Sequence, residues 1–163
     1  MYAAKGKGYL DKQYQTEKKM AYIRTPPELW EQLNNEFHFT LDTCSSETNH
    51  LCDKYYTKET DGLKQDWTDE VAYVHPMYDI YIPKWVEKCA KEKCTSVLLI
   101  PASTHTRYFH DFIWNKPNVE IRFLPNPRKN GKSGWYMATD EGEVSSSVGY
   151  IRPLMVVIFR NQV

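Results

Sequence analysis

The stretch "VAYVHPMYDIYIPKWVEK", residues Val71 to Lys88, decides the fold. Its opening residues are apolar without polar alternation, as in a strand covered on both faces of a parallel sheet. The apolar run stops at His75-Pro76-Met77-Tyr78. A helical pattern begins just after Pro83, with Trp85, Val86, Cys89 and Ala90 recurring at helical spacing. Strand, short stiff loop and helix in that order put the loop at the edge of a parallel sheet, where such folds hold their chemistry.

Further segments extend the same pattern in both directions. "SVLLIP", "VEIRFL" and "LMVVIF" read as buried strands. "TRYFHDFIW" reads as a helix with Tyr108, Phe109, Phe112 and Ile113 on its apolar face. Upstream, "TPPELWEQLNNEF" predicts a helix capped by Thr25, with prolines at its start and Leu29, Trp30, Leu33 and Phe37 on one face. "FHFTLD" predicts a short strand ending at Asp42, followed by a polar loop through Ser45, Ser46, Thr48 and Asn49. The Gly- and Ser-rich stretch from about Asn126 to Gly149 reads as a long loop or lid. Alternating strands and helices predict an α/β sheet sandwich. Residues 25–163 then form one domain, preceded by a basic arm over residues 1–24.

Composition narrows the function classes. A chain of 163 residues with 41% hydrophobic content can bury one core. Its 21 basic and 21 acidic residues cancel, so a nucleic-acid site requires a local basic patch. No apolar run approaches a membrane span and no signal-peptide core opens the chain, so it reads as soluble and intracellular. Cys44, His50 and Cys52 lie close together but match no common zinc spacing; Cys89 and Cys94 read as small apolar residues. Reduced structural cysteines and no metal are the expectation.

In the arm, Lys5, Lys7, Lys12, Lys18, Lys19 and Arg24 interleave with Tyr2, Tyr9, Tyr14 and Tyr22. This pattern fits a solvated chain end, or a phosphate-contacting arm with stacking rings. Arg128, Lys129 and Lys132 form a second basic cluster, solvated or suited to phosphate contacts. His105 and His110 have no clear acid partner for triad chemistry.

The order of "TPPELWEQLNNEFHFTLDTCSS", "YYTKETDGLKQDW", a strand with a Pro-Tyr loop, "KWVEKC", "LLIPASTHTRYFHDFI", "EIRF" and "PLMVVIF" resembles the phage-type DNA N6-adenine methyltransferase (Dam-like) family. That resemblance covers nearly everything after the arm. It implies a Rossmann-like class I methyltransferase, with a mostly parallel sheet and flanking helices, that uses S-adenosylmethionine and acts on DNA. It also implies a cofactor side built from Thr25, Pro26, Asp42, Ser45 and Asp66. The residues alone give blander readings: a helix cap for Thr25, a loop-initiating acid for Asp42, and for Asp66 a cap beside a buried Trp67.

Family members carry Asn-Pro-Pro-Tyr or Asp-Pro-Pro-Tyr where this chain has His75, Pro76, Met77 and Tyr78. In that motif the leading side-chain oxygen and the following proline carbonyl accept hydrogen bonds from the amine of a flipped base, and the aromatic ring stacks on it. Pro76 and Tyr78 keep their parts. His75 substitutes one nitrogen acceptor for an oxygen, and Met77 removes a ring that stiffens the loop. The family's Pro-Ala-Arg-Thr-Asp-Thr is here Pro101-Ala102-Ser103-Thr104-His105-Thr106, and a glycine-arginine segment after "EIRF" is replaced by "LPNPRKNGKSGWYM".

The resemblance therefore implies an adenine methyltransferase with altered or reduced activity, in the cytoplasm of a bacterial host. Its alternative is an inactive methyltransferase-like protein that binds nucleic acid or a protein partner. A third reading makes His75 a general base in another base-modifying reaction.

Overall fold

The computed structural model describes residues 24–126, 152–161 and four short strand segments between them. The first helix, α1 (Pro27–Phe37), has Pro26 at its N-cap in extended conformation and Pro27 in its first turn. A proline is tolerated there because the first turn has no intrahelical use for its amide. The helix stops at His38, which is left-handed at φ 54° and returns its amide to the Asn34 carbonyl.

The main sheet contains β1 (Leu41–Asp42), β2 (Lys54–Tyr55), β3 (Val71–Val74), β4 (Thr95–Pro101), β5 (Val119–Phe123) and β10 (Leu154–Arg160). Its spatial order is β2-β1-β3-β4-β10-β5. The β1–β2, β1–β3 and β3–β4 pairs are parallel, and β10 runs antiparallel between β4 and β5. The chain thus leaves β1 outward to β2, then returns to β1's other side for β3. That reversal is a topological switch point, and the crevice lies beyond the carboxyl ends of β1 and β3.

The covering layers follow the strand alternation. Val97, Leu99, Leu154, Val156 and Ile158 pack with Leu29 and Leu33 of α1 on one face. Leu98, Ile100, Met155, Val157 and Phe159 pack on the other. There they meet α2 (Ile82–Lys91) through Ile82, Val86 and Cys89, and a π-helix (Phe109–Ile113) through Phe109 and Ile113. Every residue from Leu154 to Phe159 is buried, as a strand covered on both faces requires.

Two expectations are corrected. The stretch after Asn126 is not a plain loop: β6 (Arg128–Lys129) pairs with β7 (Lys132–Ser133), and β8 (Ala138–Thr139) pairs with β9 (Gly142–Glu143). The residues between the paired Lys129 and Lys132 are Asn130-Gly131, a favoured pair for a two-residue hairpin connection. Thr25 does not cap α1, whose N-cap makes no side-chain hydrogen bond. Its hydroxyl is engaged elsewhere.

Among the described residues no helix is long and apolar enough to cross a membrane, and no cluster of His, Cys, Asp and Glu side chains could hold a metal.

Candidate functional site

β1 and β3 deliver their last residues side by side, with Leu41 paired to Ala72 and Asp42 to Tyr73. Beyond these ends lies a cleft lined by Arg24, Thr25, Asp42, Cys44, Asn49, Leu51, Tyr73 and His75. Each element contributes for a local reason. β3 carries one phenol among aliphatic side chains. The Pro26-Pro27 start of α1 turns Thr25 back over that strand.

Asp42 is the acid of this cleft. It is 3% exposed, and its carboxylate accepts hydrogen bonds from the Leu51 amide at 3.0 Å and the Cys44 amide at 3.3 Å. Burial raises its pKa, and those two amides partly oppose the shift. The carboxylate therefore folds the 43–51 loop around itself, as a loop-initiating acid does, while also facing the cleft. Thr43 fastens the same corner by donating its hydroxyl to the Tyr73 carbonyl at 3.0 Å.

His75 is clasped from both sides. Its Nδ1 lies 2.9 Å from Thr25 Oγ1, and its Nε2 lies 3.0 Å from the Tyr78 hydroxyl. Thr25 Oγ1 also lies 2.6 Å from the Tyr73 hydroxyl. Burial lowers the imidazole's pKa to about 4, so the ring is neutral near pH 7. The residue keeps partial surface exposure, but its ring nitrogens point at protein hydroxyls. Tyr78 sits tilted against the imidazole, with ring centroids 5.5 Å apart.

The sequence-derived residues separate on this geometry. Thr25, Asp42 and His75 line the cleft, and Tyr78 reaches it only through its contact with His75. Pro26 and Pro76 are buried and Met77 is 37% exposed, and none of the three is among the cleft residues. Ser45 is spent on the neighbouring strand exit, donating its hydroxyl to the Tyr56 carbonyl at 2.9 Å. Asp66 is exposed, accepts the Thr68 amide at 2.8 Å, and precedes the fully buried Trp67. It is not among the cleft residues. The side chains of Arg128, Lys129 and Lys132, like the arm before Arg24, lie outside the described residues.

Sequence reasoning missed Tyr73, Cys44, Asn49 and Leu51. Tyr73 carried a usable signal, because a phenol inside a buried strand must find a hydrogen-bond partner. The thiol of Cys44 is chemically quiet: burial pushes its pKa well above the ordinary value. Cys52 is pushed up to about 12 for the same reason.

The lining combines a buried acid, hydroxyls, an amide, a guanidinium and the 37% exposed Leu51, a mixed set suited to a polar ligand with an apolar part. A family model described as DNA N-6-adenine-methyltransferase (Dam) matches residues 13–162. A DNA N-6-adenine-methyltransferase from Escherichia phage T1 is 32% identical over 100 residues, which cover 58% of this chain. The match spans 42% of that phage protein's length.

Proposed function

Since the chain belongs to the DNA N-6-adenine-methyltransferase (Dam) family, we propose that it is a class I, Rossmann-like enzyme that methylates adenine in DNA through a weakened base-holding loop. The observation that carries this reading is the convergence of Thr25, Asp42 and His75 on the switch point between β1 and β3. S-adenosylmethionine, when bound, supplies a methyl group activated by its sulfonium. The cleft suits it: Asp42 answers positive charge or ribose hydroxyls, Asn49 offers hydrogen bonds, Leu51 offers an apolar surface for the adenine ring, and Thr25, its hydroxyl shared with Tyr73 and His75, borders the site. Asp42 can accept further hydrogen bonds, since each carboxylate oxygen here holds one amide.

On the base side, Pro76 contributes a carbonyl acceptor and Tyr78 a ring able to stack on a flipped base. Holding the amine so that its lone pair faces the methyl group is a positioning effect, able to contribute several kcal/mol. His75 is the weak member of this set. Its nitrogens are committed to Thr25 and Tyr78, so an incoming amine must displace Tyr78 to reach the ring.

The segments that depart from the family pattern leave the sheet at one edge. The His75 loop follows β3, the Ser103 loop follows β4, and the segment after Phe123 follows β5, whose direction matches β4. This clustering favours a kept scaffold with a changed active edge. The same clasp of His75 favours the second reading, an inactive methyltransferase-like protein that binds nucleic acid or a protein partner.

Titration calorimetry with S-adenosylmethionine, followed by methyl transfer to mixed DNA substrates, separates the readings. Binding with slow transfer to adenine is the expected result. A folded protein that binds no cofactor at millimolar concentration sinks the enzyme and leaves the binding protein.

A further inference from the structure

β5 ends the main sheet on one side: it pairs with β10 and, among the described residues, with no strand on its other flank. The strand at the opposite side, β2, has two residues, too few to template another strand. β5 has five, none of them proline or lysine, in the order Val119-Glu120-Ile121-Arg122-Phe123. Natural sheets usually blunt such a strand. This one instead leaves Phe123 59% exposed.

The ladder fixes which backbone groups face outward. The Leu124 amide donates to the Leu154 carbonyl, and the Arg160 amide donates to the Asn118 carbonyl. Bonds of an antiparallel pair alternate, so the even-numbered residues of β5 bond to β10, while Val119, Ile121 and Phe123 turn their amides and carbonyls away from it. The Val119 amide is taken by the Lys116 carbonyl at 3.2 Å. Among the described residues nothing takes the Ile121 and Phe123 amides. The side chains alternate too. Val119 and Ile121 pack on the α2 face, opposite Phe159 and Val157 of β10, and Phe123 shares that face. Glu120 and Arg122 lie on the α1 face, where Arg122 donates to Glu36.

We propose that β5 pairs antiparallel with β5 of a second copy, across a two-fold axis at Ile121, so that two chains share one continuous sheet. The strand is its own complement in this register. Ile121 exchanges its amide and carbonyl bonds with Ile121 of the second copy, and each Phe123 amide meets a Val119 carbonyl. Glu120 stands directly opposite Arg122 of the second copy, and Arg122 opposite the second Glu120. Moving the axis to Glu120 or to Arg122 sets like charges opposite each other, which destabilises a strand pair. No existing ion pair has to break: each Glu120 oxygen holds one N–H, from Arg122 or from Arg160, and can accept another. Phe123 comes to lie beside Val119 on the apolar face, which covers the exposed ring. Antiparallel joining points the carboxyl ends of the two sheets in opposite directions, so the two clefts stay separate. The pairing therefore does not rest on the proposed function.

Two short strands make an interface below the standard size of stable complexes, so the dimer is weak. Sedimentation velocity on the full chain, in a concentration series up to millimolar, is expected to show monomer passing to dimer. Monomer throughout, or growth past dimer into larger species, overturns the proposal. Glu120→Lys alone and Arg122→Glu alone each set like charges opposite one another, and each is expected to weaken the dimer about tenfold. Mixing the two variants puts opposite charges face to face again and is expected to restore the natural affinity as a mixed dimer. Loss without recovery on mixing, or a dimer that neither variant weakens, overturns the pairing at Ile121. Circular dichroism melts check that each variant folds. Should either fail, Phe123→Lys, at an exposed position, places a charge where the ring would pack and is expected to leave monomer. A dimer as strong as the natural one in that variant overturns the use of this strand.

Discussion

The decisive residue is His75, because its change of chemistry meets a fully engaged hydrogen-bond geometry. Replacing His75→Asn and Met77→Pro together restores an oxygen acceptor and a stiffer loop, while Pro76 and Tyr78 keep their places. Adenine methylation is expected to rise at least about tenfold, roughly 1.4 kcal/mol of barrier, in a radiolabelled methyl-transfer assay. Robust activity in the natural sequence that His75→Asn abolishes would mean that the histidine performs chemistry. The same residue leaves a pH signature. Its folded pKa of about 4 lies below the free imidazole value of about 6.5, so the unfolded chain takes the proton first. Its contribution is complete above about pH 6.5 and is lost as pH falls towards about 4, by at most about 3 kcal/mol and less given the residue's partial exposure. Asp42 acts in the opposite sense: its raised pKa makes the folded state bind the proton more readily, which adds stability as pH falls. Denaturant melts between pH 7 and 4 should therefore show a shallower acid loss in His75→Asn than in the natural chain. Equal slopes would mean that His75 is not buried neutral.

At the scale of elements, the corner joining β1 to the segment before β3 is the tightest place near the cleft. A Cβ on Gly62 would stand 2.3 Å from the Thr43 carbonyl oxygen and 3.2 Å from the Trp85 ring. The Gly62 carbonyl also accepts the Trp67 indole N–H at 3.0 Å. Gly62→Ala must push on the backbone next to Asp42, at a cost of about 1–3 kcal/mol. Denaturant unfolding is expected to register that loss, and calorimetry a weaker cofactor affinity; unchanged values for both would show that the corner yields freely. The elements that sequence made legible share one physical cause. Residues 72–74, 96–101 and 154–159 are buried on both faces, so their apolar runs have no competing reading. β2 stayed hidden because Lys54–Tyr55 is a two-residue edge strand with one exposed and one half-buried residue, too short for any period. Thr25 was misread as a cap because Ser and Thr before a helix usually cap it, and only the fold brings Tyr73 and His75 within reach. Asp42 and the His75 loop were legible as strand ends, but the clasp around the imidazole joins positions about fifty residues apart, and no local pattern encodes it.

For the whole molecule, equal numbers of basic and acidic residues leave no net field to draw DNA in. Contact with phosphates must then come from a local cluster. Many of the charges elsewhere are already used within the fold: Arg122 bridges Glu36 at 2.7 Å and Glu120 at 2.5 Å, Arg160 bridges Glu120 at 2.9 Å, and Lys88 and Lys54 are paired with Glu92 and Glu70. Such pairs cannot release counterions from DNA without first giving up their partners. Arg128, Lys129 and Lys132 follow, in the chain, the carboxyl end of β5, on the edge where the His75 and Ser103 loops also emerge. We propose these three as phosphate contacts. Each phosphate neutralised contributes about 0.9 to the slope of log affinity against log salt. Replacing all three with glutamine should lower that slope by up to about 2.7 and weaken binding to every DNA sequence alike. Fluorescence anisotropy on duplexes of unrelated sequence, across a salt series, measures both quantities. A slope and affinity that do not move would assign the cluster to the solvated surface and shift the search to the lysines before Ala21, which a deletion of residues 1–20 tests in the same assay.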